Sequence, residues 1–464
     1  MAAAIAIPRV VIGAVASGTG KTTITVAIAA ALRARGKKIA VFKCGPDYLD
    51  PGYHRHAAGV ISHNLDGWMM GREAVAASFA RAAAGCDLAI VEGMMGLFDG
   101  ATPVNDEGST AEIAKWLGAP VILAIDVSGM ARTLGAVAEG FRRFDPELRI
   151  AGLICNRVGG RGHLDLLRAA TPPIGILGGF PEVREAAFPE RHLGLVSLES
   201  AGIDDAIFGR WGALASEWLD LDAILEIANS APPIARLDGD RVFTPAGKVK
   251  IGIAWDEAFH FYYEDNLARL ETLGAELIRF SPASDRTMPE VDGLYFGGGY
   301  PEAHVRSLSS NTPMLESIRN FSRNGGIIYA ECGGLMYLAD AIVTLDGKRW
   351  PMAGLIAGDA VMSSRLQAIG YVEVTTRAPS ILGGCGLSFR GHQFRYSTLE
   401  RTGSRATQVY AVKPRWGGAP FHEGFSGGNV MASYVHAHWA SNPEIAANFL
   451  GSCRRRGKNP GRPV

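Results

Sequence analysis

Short runs of β-branched residues alternate with alanine-rich stretches from residue 9 to about residue 180, and this alternation constrains the fold more than any other feature. The apolar runs are 10–15, 39–42, 88–91, 121–125 and 150–154, and the alanine-rich stretches between them are 22–35, 74–84, 111–117 and 132–144. Runs that are apolar throughout are typical of strands covered on both faces, as in a parallel sheet. We therefore predict a doubly wound α/β domain, whose ligands bind at the carboxyl ends of its strands.

A second α/β series follows a break in this periodicity. Residues 231–248 are rich in proline, glycine and charge, and a chain of 464 residues exceeds what one hydrophobic core usually supports. We predict a first domain over 1–230, a linker over 231–248, a second α/β domain over 249–451 and a basic flexible tail over 452–464.

Charge and cysteine content exclude several classes of protein. The 46 lysine and arginine residues balance 46 aspartate and glutamate residues, which leaves no electrostatic case for a nucleic-acid or membrane partner. The six cysteines form no Cys-x-x-Cys pair, which argues against a zinc ribbon or a disulfide framework and fits a reducing compartment. The sequence shows neither a basic leader nor about 18 uninterrupted apolar residues, so we expect a cytoplasmic protein.

A glycine-rich loop follows the first predicted strand and precedes the first predicted helix. Its backbone N–H groups form an anion nest, Lys21 can reach the β- and γ-phosphates of a nucleotide, and the Thr22 hydroxyl can bind Mg²⁺. The usual first glycine of such loops is replaced here by Val15. We predict that ATP is bound by Ser17, Gly18, Thr19, Gly20, Lys21, Thr22 and Thr23.

Polar side chains follow later strands of the same predicted sheet. Asp47 and Asp50 follow one strand and Glu92 ends another, and parallel strands bring such positions to one edge. Mg²⁺ prefers hard oxygen ligands, so we predict that Thr22 binds it together with Asp50 or Asp47 and Glu92, although each carboxylate alone is more often a cap or turn residue. Asn156 is either a ligand of the nucleobase or a turn residue.

A cysteine lies at a predicted strand-to-helix bend in the second domain. The apolar run 326–330 is followed by Glu331, Cys332 and two glycines, and then by the apolar run 335–338. Such a bend holds the thiol near a helix N-terminus, where backbone dipoles favour the thiolate and N–H groups can receive an oxyanion. We predict a nucleophile at Cys332, and the alternative is a small buried cysteine in a turn.

Two further segments could complete a nucleophilic site. His436 and His438 are two positions apart on a strand-like run, so their side chains share a face and one of them could act as a base. The glycine-rich turn that includes Gly298 and Gly299 could provide N–H groups for an oxyanion. A metal half-site formed by the two histidines is the alternative, but no cysteine or carboxylate at ligand spacing joins them.

Motifs spread over nearly the whole chain form a specific set. They are 17–22, 45–50, 92–99, 297–302, 331–334, 391–397 and 434–438. The set resembles the cobyrinic acid a,c-diamide synthases, with a first half similar to dethiobiotin synthetase and a second half that looks like a class I glutamine amidotransferase domain. The fold class that this resemblance implies is α/β, with a P-loop doubly wound domain followed by a class I glutamine amidotransferase-like α/β domain.

The resemblance also implies roles for individual residues. Cys332 would be the glutaminase nucleophile with His436 as its base, and Lys21 and Thr22 would serve ATP and Mg²⁺. The resemblance places six further residues in the synthetase site, namely Asp50, Glu92, Asp99, Lys43 at a phosphate-contacting position, and Tyr48 and Leu49 in a segment implicated in substrate choice. The sequence departs from the pattern at two positions: His438 stands where class I glutaminases usually carry glutamate, and Arg395 stands where many relatives have a second histidine.

The activity implied by the resemblance is the amidation of the a and c acetate groups of a corrinoid or related tetrapyrrole acid. Glutamine would provide the nitrogen, and ATP would activate the carboxylate as an acyl phosphate. Hydrogenobyrinic acid or nickel sirohydrochlorin as substrate, a P-loop nucleotide switch with a non-catalytic glutaminase-like module, and a dethiobiotin-like ligase stay open as alternatives. The expected partners are small molecules, with neither nucleic acid nor membrane among them, and a homodimer is left open.

Overall fold

The computed structural model describes residues 4–170, 174–183, 188, 190–191, 194–195, 204–235, 248–401 and 406–458. The described residues belong to two compact units, Met1–Arg241 and Val242–Val464. Of the predicted linker, residues 236–247 lie outside the described residues, whereas Ile234–Ala235 pairs with Ala4–Ile5 as a short antiparallel ladder. Among the described residues, no helix combines the length and the apolar character needed to cross a bilayer.

The first unit is built on a parallel sheet. Its strands are β1 (Arg9–Ala14), β2 (Ile39–Cys44), β3 (His63–Leu65), β4 (Leu88–Glu92), β5 (Val121–Asp126), β6 (Ile150–Val158) and β7 (Ile176–Pro181). Their order across the sheet is β3-β2-β4-β1-β5-β6-β7, with every neighbouring pair parallel. The carboxyl ends of β2, β4, β1 and β5 therefore lie side by side, where ligands of such sheets bind.

Helices connect these strands and cover the sheet. They are α1 (Lys21–Ala34), α2 (Asp50–Ala58), α3 (Gly67–Ala82), α4 (Thr110–Leu117), α5 (Thr133–Phe144), α6 (Arg161–Ala170), α7 (Ala206–Trp218) and α8 (Leu221–Asn229). A core cluster joins buried side chains of the sheet, such as Ile12 and Val41, to Ile28 of α1 and Trp211 of α7. Continuous burial of β1, β2 and β4 explains why these strands are apolar throughout.

The second unit is built on a mixed sheet. Its strands are β8 (Val249–Ala254), β9 (Ala275–Phe280), β10 (Gly293–Phe296), β11 (Ile327–Glu331), β12 (Ala339–Val343), β13 (Arg349–Pro351), β14 (Ile356–Met362), β15 (Ala368–Thr376), β16 (Ser388–Arg395), β17 (Ser397–Glu400), β18 (Thr407–Pro414), β19 (Phe421–Gly427), β20 (Val430–Ser433) and β21 (His436–Ala437). The main sheet has the order β9-β8-β10-β11-β20-β19-β18-β15-β16-β21, and β13-β12-β14-β17 form a separate sheet. The pairs from β9 to β20 are parallel and those from β20 to β21 are antiparallel.

The helices of the second unit pack on this main sheet and on the loops at its edge. They are α9 (Glu264–Thr272), α10 (Val305–Ser310), α11 (Thr312–Arg323), α12 (Gly333–Leu338) and α13 (Glu444–Lys458). Helix α13 continues past residue 452, where we predicted the start of a flexible tail, because Cys453 is fully buried in the core. Residues 459–464 of that predicted tail lie outside the described residues. The prediction of an α/β fold that starts with a doubly wound domain is confirmed.

Candidate active sites

The phosphate-binding loop connects β1 to α1 and uses glycine where other residues would not fit. Gly18 and Gly20 have φ angles of 73° and 96°, and Gly20 directly precedes the first residue of α1. A Cβ on Gly20 would clash with Nδ2 of Asn156, which donates a hydrogen bond of 2.8 Å to the Thr19 carbonyl. Ser17 is exposed on the loop. The loop therefore presents its backbone at the start of a helix, as an anion site requires.

Lys21 begins α1 and is folded back over this loop. Its Nζ donates to the carbonyl oxygens of Ala16 at 3.2 Å and Met95 at 2.6 Å. Burial, together with the neighbouring charge of Lys43, lowers the pKa of Lys21 to about 8. A bound phosphate group would favour the charged form of this partly dehydrated ammonium group, because an opposite charge nearby raises the pKa of an amine.

Thr22 joins the two predicted carboxylates in one cluster. Its hydroxyl donates to Glu92 Oε1 at 2.7 Å and lies 3.3 Å from Asp50 Oδ2. Lys43 contacts the same two oxygen atoms, with Nζ 2.6 Å from Glu92 Oε1 and in contact with Asp50 Oδ2. Glu92 and Asp50 are buried, so this cluster is screened from water.

The charges in the cluster are mutually dependent. Burial alone would lower the pKa of Lys43, but Asp50 and Glu92 outweigh it and raise that pKa well above its usual value. Burial would raise the pKa of Glu92, but Lys43 and His54 outweigh it and hold that pKa far below its usual value. Burial and Asp47 raise the pKa of Asp50. Glu92 is thus the ionised partner of Lys43.

The oxygen donors of this cluster fit a magnesium ion whose remaining ligands would come from water and a nucleotide. Within the described residues, no group of three or more histidine, cysteine, aspartate or glutamate side chains is arranged to hold a metal by itself. Thr22, Asp50 and Glu92 nevertheless bring a hydroxyl and two carboxylates together, all hard oxygen donors. Mg²⁺ usually takes one or two carboxylates and completes its shell with water and substrate phosphates.

The other predicted residues of this unit lie around the phosphate-binding loop and at the start of α2. Asp47 Oδ1 accepts from the backbone N–H groups of Leu49 and Asp50, so it caps the start of α2 beside Tyr48. The remaining residues lie around the loop: Asp99 Oδ2 accepts from the Gly96 N–H at 2.9 Å, Thr23 is half-buried in the first turn of α1, and Asn156 bonds to the loop backbone. The Asn156 contact supports the loop backbone, and its role toward a nucleobase stays a prediction.

Cys332 lies on a strained bend between β11 and α12. Its φ and ψ angles are 47° and −103°, its N–H donates to the Ser433 carbonyl at 2.7 Å, and its Sγ lies 3.9 Å from the Phe394 carbonyl oxygen. A non-glycine residue at positive φ is a strained conformation that persists where surrounding contacts hold it. Burial raises the pKa of the thiol to about 12, so the resting group is a thiol, contrary to our expectation that the helix terminus would favour the thiolate.

His436 lies in the same buried region. A Cβ on Gly298 would clash with the His436 ring, and a Cβ on Gly333 would lie 3.1 Å from the Gly299 nitrogen. The glycine turn thus contacts the imidazole and the residue that follows Cys332, so it connects the predicted base to the bend that carries the predicted nucleophile. Burial lowers the pKa of His436 to about 3, so its imidazole is neutral at rest.

The predicted oxyanion donors differ in their availability. The Gly298 N–H donates to the Phe261 carbonyl at 3.2 Å, so it is already used and Gly298 instead makes room for the imidazole. The Cys332 N–H is likewise bonded to Ser433. Gly299, the other predicted residue of this turn, has its nitrogen close to Gly333.

His438 and Arg395, where the sequence departs from the glutaminase pattern, each contact neighbouring groups. His438 is fully buried, and its Nδ1 accepts from the Ala440 N–H at 3.4 Å. The Arg395 guanidinium packs over the Tyr434 ring at 4.6 Å and donates to Thr398 Oγ1 at 3.2 Å.

Sequence reasoning missed three buried side chains in these sites. His54 Nε2 lies 2.5 Å from Glu92 Oε2, and the spacing of Asp50 and His54 by four residues on one helix was the available signal. The His392 ring stacks on that of His436 with centroids 4.9 Å apart, and Glu331 Oε2 lies 4.0 Å from His436 Nδ1. Both residues belong to motifs that we noted, but no sequence spacing connects them to His436.

Comparisons with known proteins assign a family to each unit. Residues 10–188 match the family described as CobQ/CobB/MinD/ParA nucleotide binding domain, and residues 250–444 match the CobB/CobQ-like glutamine amidotransferase domain. The second match confirms the predicted amidotransferase class of the second unit.

Relatives match over nearly the whole chain. A cobyrinate a,c-diamide synthase of Leptospira interrogans serogroup Icterohaemorrhagiae serovar copenhageni is 51% identical over 97% of this chain and 100% of its own length. The enzymes of the same name from Syntrophotalea carbinolica and Listeria innocua are 43% and 38% identical, each over 96% of this chain and over 99% and 100% of their own lengths. With a nucleotide-binding unit and an amidotransferase unit in the same order, and identity at this level from end to end, the chain belongs to the cobyrinate a,c-diamide synthase family.

Proposed function

We propose that this protein is a cytoplasmic enzyme that converts the a and c acetate carboxylates of cobyrinic acid to amides. Glutamine provides the nitrogen and ATP activates each carboxylate. The observation that carries the proposal is the pairing of two complete sets of groups in one chain. One set is Thr22, Asp50, Glu92 and Lys43 beside a phosphate loop, and the other is Cys332 on a strained bend with His436.

The second unit releases ammonia from glutamine in this proposal. Cys332 Sγ attacks the side-chain amide carbon while its proton passes to His436, and His436 then protonates the departing ammonia. The thioester is hydrolysed by water, which gives glutamate and returns the thiol. Because thiol and imidazole are both neutral at rest, proton transfer accompanies attack rather than preceding it. The proposed oxyanion donor is the backbone N–H of Gly299, whose nitrogen lies close to Gly333 beside the bend.

The first unit activates the acid in this proposal. A carboxylate anion has no leaving group, so the γ-phosphoryl group of ATP is transferred to it and ammonia then displaces phosphate from the acyl phosphate. Lys21 and the loop N–H groups hold the phosphates, and Lys43 offsets the charge that develops on them. Thr22, Asp50 and Glu92 would hold Mg²⁺, which would supply positive charge to offset that of the phosphates. In this proposal Tyr48 and Leu49, which directly precede α2, contact the activated acid.

The test compares two nitrogen sources in one assay. The protein is incubated with ATP, Mg²⁺ and either glutamine or ammonium chloride, against cobyrinic acid, hydrogenobyrinic acid and nickel sirohydrochlorin, and products are identified by mass spectrometry. We expect two amides per cobyrinic acid molecule with either nitrogen source. Cys332→Ala should lose the reaction with glutamine and keep that with ammonium.

The outcomes separate the proposal from its alternatives. Amidation of another macrocycle in preference to cobyrinic acid would contradict the proposed substrate. An absence of amidation with either nitrogen source would contradict the activity and favour a nucleotide switch. Amidation with ammonium but not with glutamine by the unchanged protein would favour a ligase that lacks a working glutaminase.

A further inference from the structure

The carboxylate of Glu331 is buried beside His436. Its Oε1 accepts from the Tyr329 hydroxyl at 2.7 Å and from the Ala437 N–H at 3.1 Å. Its Oε2 accepts from the Tyr295 hydroxyl at 3.0 Å and lies 4.0 Å from His436 Nδ1. These donors fix the orientation of the carboxyl group and direct one oxygen toward the imidazole.

The backbone fixes Glu331 relative to both groups of the glutaminase pair. Glu331 is the last residue of β11, it directly precedes Cys332, and it is the register partner of Ser433 on β20. The Cys332 N–H donates to the Ser433 carbonyl at 2.7 Å, and the chain reaches His436 three residues later. The Ala437 N–H, which follows His436 in the chain, then donates back to the Glu331 carboxylate. A shift of Glu331 would therefore move the base and the nucleophile together.

His438, at the position where related glutaminases carry an acid, has a different task. Strand β21 ends at Ala437, and the His438 side chain caps the short 3₁₀ turn Trp439–Ser441 by accepting from the Ala440 N–H. Its ring packs on that of Tyr263 with centroids 4.6 Å apart. An Nδ1 that accepts from a backbone N–H serves the turn rather than the catalytic imidazole.

We infer that Glu331 is the positioning residue of the glutaminase site, with Oε2 as the acceptor for the Nδ1–H of His436. This inference rests on the glutaminase activity proposed above. The accepted hydrogen bond selects the tautomer in which Nε2 carries no proton and can take that of Cys332, and the carboxylate stabilises the imidazolium that forms. The resting separation of 4.0 Å shortens to hydrogen-bond length as the substrate complex forms, as is common for catalytic contacts.

The surroundings of Glu331 make its ionisation measurable. The titratable groups that face it are His436, the Cys332 thiol and the phenols of Tyr262, Tyr295, Tyr329 and Tyr410. Burial raises the pKa of each of these phenols well above its usual value, so they stay neutral in an assay near pH 7. Burial also raises the pKa of Glu331 to about 7. Since only the ionised carboxylate carries the charge that stabilises the imidazolium of His436, glutaminase activity should rise with pH through this range.

The test is Glu331→Gln, which keeps the shape and removes the charge. We expect kcat for glutamine hydrolysis to fall by about 100-fold with KM for glutamine nearly unchanged, because the group touches the base and not the substrate. The rise of kcat/KM with pH near 7 should disappear. Amidation with ammonium chloride should keep the wild-type rate, which shows that the variant is folded.

Glu423→Gln is the matched control. Glu423 is also buried, with a pKa raised to about 7, and its carboxylate accepts from the Ser433 hydroxyl and the Tyr434 N–H. This control should keep the rise with pH and lose no more than a few-fold in kcat. A Glu331→Gln variant that hydrolyses glutamine within three-fold of wild type, or that retains the rise with pH, overturns the inference.

A second variant covers the case in which Glu331→Gln does not fold. Tyr295→Phe removes the hydroxyl that orients Oε2, and we expect a fall of about five-fold in kcat with unchanged ammonium-dependent amidation. Wild-type kcat in this variant would overturn the inference. A wild-type protein that hydrolyses no glutamine would overturn the proposed function and the inference with it, whereas the results with Glu331→Gln and Tyr295→Phe test the inference alone.

Discussion

Lys43 and Glu92 are register partners on neighbouring parallel strands, and Lys43 Nζ lies 2.6 Å from Glu92 Oε1. This contact places a buried cation beside Thr22, which donates to the same carboxylate, and beside Asp50, which contacts both Thr22 and Lys43. The ladder of β2 and β4 thus positions the charge that a transferred phosphoryl group would meet, since neighbouring parallel strands end side by side.

The first prediction concerns Glu92→Gln. We expect ammonium-dependent amidation to fall at least 100-fold, because the change removes a proposed magnesium ligand and the ionised partner of Lys43 and His54. We also expect a loss of about 2 kcal/mol in the free energy of unfolding of the first unit, measured with urea. Asp222→Asn, at an exposed pair with Arg35, should change neither quantity measurably. Wild-type amidation by Glu92→Gln would refute its role.

The second prediction concerns the phosphate loop. Gly20→Ala should weaken binding of a fluorescent ATP analogue by at least about 30-fold, because the new Cβ would clash with Asn156 and the residue has a φ of 96°. Gly36→Ala is the control, since Gly36 has a φ of 77° but a Cβ added there would meet no atom within 4 Å. Both variants carry the backbone strain, so a difference between them measures the effect on the loop. Equal nucleotide affinities would contradict the prediction.

The third prediction concerns the contact between the glycine turn and the base. Gly298→Ala should lower glutamine hydrolysis about 100-fold, because its Cβ would displace the His436 ring, and misplacement by about 1 Å can have that effect. Ammonium-dependent amidation should persist. Gly384→Ala, where a Cβ meets nothing within 4 Å, should keep both activities. If Gly298→Ala hydrolysed glutamine normally, the turn would not position the base.

The fourth prediction concerns the pH dependence of Cys332 alkylation by iodoacetamide. Because burial raises the pKa of the thiol to about 12, the thiolate is a small fraction at neutral pH. The alkylation rate should rise about tenfold for each pH unit between 7 and 10, without a plateau, as a titration well below its pKa requires. Peptide mass spectrometry separates this site from the exposed Cys385. A plateau below pH 8 would show that the resting group is a thiolate.

Local patterns in the sequence predicted a large part of the first sheet. The strand at 10–15, the loop that ends in Lys21 and the bend at Cys332 are each encoded in a few consecutive residues, because apolar runs, glycines and helix starts act over short distances. The alternation did not indicate α2 (Asp50–Ala58), whose opening Pro51 and Gly52 are typical of a turn. That helix forms because Pro51 is tolerated in a first turn and buried side chains such as Tyr53 anchor it.

Contacts between distant segments were decided by the tertiary structure. The sequence by itself determined that a phosphate loop and a cysteine bend exist, since each depends on residue types at fixed spacing. Only the fold determined that His54 faces Glu92 and that Glu331, rather than His438, faces His436, because strand order and register bring these side chains together. The protonation of Cys332 likewise depends on burial, which arises from the packed surroundings and not from the local motif.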